Sequence, residues 1–205
     1  MKDWTRPRQT FAGLLLRTSP DTASAITMVI TQISSNDMET SCHALAQIDA
    51  VIQDDKWDLL TSHVNQFLML VTIQLKQVVT RYFSDPTTPP EQLSLLIKAL
   101  LATTHSLFSR SQLAKEASRE TLRELFYNML TLMHDGRTAE MIDGCQVINT
   151  INVLCGRILE QSNCTRILRL NFCSLIAISL PFYFKLSFFS LSCIFVDGCS
   201  DKIFL

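Results

Sequence analysis

The chain has 205 residues, 47% hydrophobic and 18% charged, with a formal net charge of -1. That is length and apolar content enough for one domain with a real core. The near-neutral balance gives no broad electrostatic reason to bind nucleic acid or an anionic membrane, so neither is an expected partner.

Residues 1–21 mix Arg, Pro, Thr and Gly without period and read as a flexible lead-in. Lys2, Arg6 and Arg8 precede an apolar run that is interrupted and too short for a signal peptide. Helices are expected from there on. The first covers about 22–34 and the second about 38–53, with Asp37 as N-cap and Ala44, Leu45, Ile48, Val51 and Ile52 on one face. The third, 57–82, has the clearest stripe: Leu60, Val64, Phe67, Leu68, Val71, Leu75, Val78, Val79 and Tyr82 step by three and four. Met69, Leu70 and Ile73 widen the stripe, which predicts packing on two sides.

The SDPTTPP run from Ser84 breaks the helix, because each Pro lacks a donor and fixes φ. Thr88, Pro89 and Glu91 then suggest a capping box for a fourth helix that buries Leu93, Leu96, Ile97, Leu100, Leu101, Leu107 and Phe108. A fifth helix over about 111–134 buries Leu122, Leu125, Phe126, Met129 and Met133, and Asp135-Gly136 would end it through a positive φ. Thr138 would cap a sixth, with Met141, Cys145, Ile148, Ile151, Cys155, Ile158 and Leu159 as its stripe. No segment before residue 168 alternates with period two, so residues 22–168 are expected to be all-α.

About six antiparallel helices on short turns, some with wide apolar faces, suit a helix-pair solenoid better than a closed bundle. Such units bury their faces by stacking on neighbours, so the last one needs a successor or a polar outer face. Here the helical pattern gives way to an apolar tail, 169–205. Seven of the 12 Phe lie from residue 167 on, and the charges there are Arg169, Lys185, Asp197, Asp201 and Lys202. Pro181 and Lys185 interrupt the apolar run short of the roughly 20 residues that a bilayer span needs. Phe, Ser, Leu, Ile and Cys are all reached through thymine-rich codons, so the tail is read as a retained intron or mis-assigned end, foreign to the fold.

Residue chemistry offers no catalytic constellation, cofactor loop or metal site. The seven Cys form no C-x-x-C pair and read as free thiols of a reducing compartment, which makes the cytosol the expected location. His43, His63, His105 and His134 stand singly on different helices, and neither G-x-x-x-x-G-K-[ST] nor G-x-G-x-x-G occurs. A long-range Cys/His pair such as Cys145 with His105 stays open as an enzymatic rival.

Surface patterns offer two binding candidates. In KEASRETLRE, Lys115, Arg119 and Arg123 form one row of a helix and Glu116, Glu120 and Glu124 the next, which is either a solvated face or a docking face. Alternate turns of a helix-pair array lie on one edge. That puts Asp37, Asp85 and Asp135, with Arg137, on one side and Lys56, Trp57, Arg110 and Arg166 on the other. An exposed Trp among spaced cations is a candidate protein-binding edge, because Trp and Arg dominate binding hot spots. Trp57 could equally be the first core residue of its helix.

Four blocks, TASAITMVITQISSNDMETSCHALAQIDAVIQ, HVNQFLMLVTIQLKQV, LAKEASRETLRELFYNMLTLMHD and GCQVINTINVLCGRILEQSNCTRIL, resemble in order the ch-TOG/Msps family of microtubule polymerases. The likeness is to the small last TOG-like domain of that family, built of HEAT repeats. It implies a non-enzymatic module of spindle organisation and plus-end dynamics, at centrosomes and kinetochores, with tubulin or a TACC-type adaptor as partners. In the family, tubulin is held by earlier TOG domains, through a Trp and basic residues on the turns within their repeats. Lys56, Trp57 and Arg110 are the candidates for that role here.

Overall fold

The computed structural model describes residues 22–54 and 56–162, and those residues are all-helical. The lead-in 1–21, the tail 169–205 and Arg166 lie outside the described residues. In chain order the helices are α1 (Thr22–Gln32), α2 (Met38–Gln53), α3 (Val64–Thr80), α4 (Pro90–Phe108), α5 (Ser111–Glu116), α6 (Arg119–His134), α7 (Gly136–Glu140) and α8 (Gly144–Gln161). Two 3₁₀ segments, Trp57–His63 and Tyr82–Ser84, flank α3.

The apolar stripes do what their spacing predicts. All five face residues expected of α2 are buried, as are all seven of α4 and all five of α6. Phe67, Leu68, Leu75, Phe108, Leu96 and Leu125 are each at most 1% exposed. Burying a side chain of this size stabilises by about 1.5–3 kcal/mol. The buried faces meet in two rows. One row runs α1, α3, α6 and the other α2, α4, α8, and the rows join through the pairs α1/α2, α3/α4 and α6/α8.

Hydrogen bonds between turns fix which ends coincide. Tyr82 donates its hydroxyl to the Asn36 carbonyl at 3.1 Å, and Arg81 donates to Asn36 Oδ1 at 2.6 Å. Arg137 donates to Ser84 Oγ at 3.2 Å and to the Val79 carbonyl at 3.1 Å. The connections α1–α2, α3–α4 and α6–α8 therefore lie side by side at one end, here the acidic end. The connections α2–α3 and α4–α6 lie at the opposite, tryptophan end.

Several local expectations are corrected. The capping box does not form: α4 starts at Pro90, and Pro89 before it is extended with φ -67, ψ 121 and no side-chain cap bond. A residue preceding Pro is driven out of the helical region, so Pro89 cannot be the first helical residue. The fifth helix is split, because Ala117 (φ -67, ψ 122) and Ser118 (φ -72, ψ 152) are extended, and α6 restarts with Ser118 Oγ accepting the Thr121 N–H. Asn65 of α3 fills the gap. Its Nδ2 donates to the Glu116 carbonyl at 2.9 Å, and its Oδ1 accepts the Ser118 N–H at 2.7 Å.

Gly136 does not end α6 through a positive φ. Asp135 is extended and accepts the Arg137 N–H, and Gly136 begins the short α7. Thr138 lies inside α7, fully buried, with its hydroxyl donating to the Leu132 carbonyl at 2.7 Å. The last helix starts six residues later than Thr138, at Gly144, and its buried stripe is Gly144, Val147, Ile151, Leu154, Cys155 and Ile158. Cys145 is exposed. Met69 and Ile73, 52% and 39% exposed, do not give α3 a second buried side among the described residues.

Candidate functional site

Lys56 and Trp57 open the first 3₁₀ segment at the tryptophan end, and both are half-buried. The Lys56 carbonyl accepts the Leu59 N–H at 3.1 Å, which starts the tight turn. This segment packs against α5. Arg110, half-buried, stands at the N-cap position of α5, where its carbonyl accepts the Ala114 N–H at 3.0 Å. Lys56, Trp57 and Arg110 thus occupy neighbouring connections. An indole held partly against the fold and partly in solvent combines a rigid apolar body with an accessible polar edge. These connections join α2 to α3 and α4 to α6, whereas the turns α1–α2, α3–α4 and α6–α8 are at the acidic end.

Arg119 and Arg123 are exposed on the first turns of α6. The split at Ala117 removes Lys115 and Glu116 from their helix, so the continuous double row of charge is not formed. Neither Glu116–Arg119 nor Glu120–Arg123 is an ion pair. Arg123 instead approaches Glu124 at 3.4 Å, with both side chains more than half exposed, an arrangement that contributes little to stability. One turn further along α6, Tyr127 is 55% exposed, and Met69 and Ile73 are exposed on the adjoining α3. The position of Tyr127 four residues past Arg123 was the sequence signal for this mixed apolar and cationic face.

No group of three or more His, Cys, Asp or Glu among the described residues could hold a metal ion. Burial, then the Asp37 and Glu39 charges, push the Cys42 thiol up to about 11. Burial alone pushes Cys155 up to about 12. Both therefore stay protonated near neutral pH, the less nucleophilic form. Cys145 and His105 are not brought together. Ser94 Oγ donates to Asp143 at 3.1 Å, which sets the start of α8 level with Ser94. His105 lies eleven residues further along α4, about 16 Å away at 1.5 Å per residue.

No helix among the described residues is long and apolar enough to cross a membrane. No protein-family model matches the chain, and no solved structure matches it.

Proposed function

We propose that the chain is a non-enzymatic interaction module of the microtubule and spindle machinery, a HEAT-like helix-pair array of the TOG type located in the cytoplasm at spindle poles and centrosomes. The observation that carries this reading is the alternation of helices between two rows, α1, α3, α6 and α2, α4, α8. That alternation is the arrangement expected of stacked helix pairs, and the four ordered sequence blocks add to it. The binding edge in this reading is the tryptophan end, with Trp57 as apolar anchor and Lys56 and Arg110 as flanking cations. Because that end joins one pair to the next, the mode of tubulin or TACC-type adaptor binding differs from that of a turn within a repeat.

A second reading is favoured by the exposed Tyr127, Met69 and Ile73 beside Arg119 and Arg123. In it, the chain is a helical adaptor that receives a partner helix on the α3–α6 face without touching tubulin. Microtubule co-sedimentation and pull-down with a TACC-type coiled coil separate the two. Trp57→Ala with Arg110→Glu should abolish capture in the first reading, and Arg119→Glu with Arg123→Glu in the second. Unchanged capture by both double variants, or no capture by the native chain, would refute both.

A further inference from the structure

An open groove of about 520 Å³ lies at the acidic end, between the turn from α3 to α4, the first turns of α4 and the α7–α8 junction. Phe83, Leu95, Met141 and Ile142 supply much of its apolar lining. Leu95 is 51% and Ile142 91% exposed, which places two large aliphatic side chains in solvent at one rim. Scattered singly, exposed apolar residues need no explanation, but here they share one concavity.

The charges in the groove are unequally satisfied. Lys98 is bonded to Asp143 at 2.5 Å. Arg137 makes a bidentate pair with Asp135 at 2.8 and 2.6 Å and lies 5.0 Å from the centre of the Phe83 ring. Both cations of the lining are thus neutralised from within. Asp85 accepts from the neutral Thr87 and feels the Arg81 charge only as its weakest influence, without an ion pair. Glu91 and Glu140 are exposed at the rim with no cation against them among the described residues. The groove is apolar along its lining and net acidic around it.

We propose that this groove receives a short segment of a partner protein in which bulky apolar side chains are flanked by Lys or Arg. The apolar side chains would cover Leu95, Met141 and Ile142, and the cations would meet Asp85, Glu91 and Glu140. Such an arrangement combines burial for affinity with charge for selection and register. The proposal rests on the reading of the chain as an interaction module, but on a surface distinct from the tryptophan end, so each can fail without the other.

The test uses the full chain and three fluorescein-labelled helical peptides of about 15 residues, enough for four turns. One carries Leu at helical spacing with Lys and Arg between. The second replaces the cations by Glu, and the third replaces Leu by Ser. Anisotropy should rise with the first peptide and not with the others. Ile142→Ser with Leu95→Ser, and separately Glu91→Lys with Glu140→Lys, should each weaken binding about tenfold, equivalent to about 1.4 kcal/mol. Circular dichroism should stay unchanged, because all four side chains are exposed. Absence of binding, equal binding by the variants, or preference for the acidic peptide would overturn the proposal. Self-association of the native chain that Ile142→Ser abolishes, with no peptide bound, would assign the groove to a second copy and overturn it as well.

Discussion

The two ends of the helical array are held in different ways. At the acidic end each turn is tied to the next by a side chain that reaches a backbone carbonyl: Gln74 to Ser35 at 3.3 Å, Tyr82 to Asn36 at 3.1 Å, and Arg137 to Val79 at 3.1 Å. Within turns, Ser41 donates to the Ile33 carbonyl at 2.5 Å and Thr138 to that of Leu132 at 2.7 Å, both from fully buried side chains. At the tryptophan end the break between α5 and α6 is bridged by Asn65, whose side chain is exposed. Buried ties have no water to replace them, while exposed ones do. A fixed acidic end and a more adaptable tryptophan end follow from that difference.

The sharpest way to break the acidic end is Gly144→Ala. An added Cβ would come within 2.2 Å of the Thr138 carbonyl oxygen and 3.0 Å of that of Ala139. Both are backbone atoms, so α7 must move away from α8. A cost of about 3 kcal/mol is expected in chemical denaturation, at the upper end for overpacking. Amide exchange should quicken first over residues 135–147. A cost below about 0.5 kcal/mol, in the range of ordinary surface changes, would mean that the junction is not tightly held.

A direct comparison of the ends comes next in size. Thr138→Val keeps the shape but removes the buried bond and leaves the Leu132 carbonyl only the longer one from the Asp135 N–H at 3.3 Å, for an expected cost of about 1–2 kcal/mol. Asn65→Ala removes two bonds, yet water can reach the Glu116 carbonyl and the Ser118 N–H. Its cost should be about 1 kcal/mol or less. Denaturation midpoints that reverse this order would overturn the comparison.

Acid should act on one end before the other, with a smaller effect from each group, because Asp37 and Asp85 are exposed and Asp135 and Asp143 are only part-buried. Four Asp at the acidic end titrate below the usual value of 3.8. Asp37 is held down by Thr40, Asp85 by Thr87, Asp135 by Arg137 and Asp143 by Lys98 and then Ser94. A folded-state value below the unfolded one stabilises the fold above the unfolded value, and that stabilisation is lost as pH falls through the lowered values. Between neutrality and pH 5 stability should therefore change little through these groups, with the loss setting in below about pH 4. Asp143→Asn should remove part of that acid dependence. Amide exchange at low pH that opens the tryptophan end first would contradict it.

What the sequence disclosed follows from the range of each interaction. The cores of α2, α4 and α6 were legible because burial repeats every three to four residues. The alternation of turns between two ends was legible too, and it correctly grouped Asp37, Asp85 and Asp135. The break at Ala117-Ser118 was not, because KEASRETLRE is made largely of good helix formers. It is held by Asn65, more than fifty residues away in the chain. The α8 start was misplaced because Thr138 is a good capping residue locally but is used as a buried tie to Leu132. Lys56, Trp57 and Arg110 were legible as turn residues of one end. The groove around Ile142 was not, since it depends on three connections meeting.

The smallest effect completes the comparison within a single helix. Gly156 lies twelve residues beyond Gly144 on α8, towards the tryptophan end, and a Cβ added there meets nothing within 4 Å among the described residues. Gly in a helix interior costs about 0.5–1 kcal/mol relative to Ala, because it loses more backbone freedom on folding. Gly156→Ala should therefore stabilise by about that amount, through the unfolded chain and not through a new contact. The same substitution is thus expected to have opposite signs at the two ends of one helix, and the sign is set by whether another backbone lies against it. A loss of stability at Gly156 would show that some segment of the chain packs against this side of α8, and the tryptophan end would then be as closely held as the acidic one.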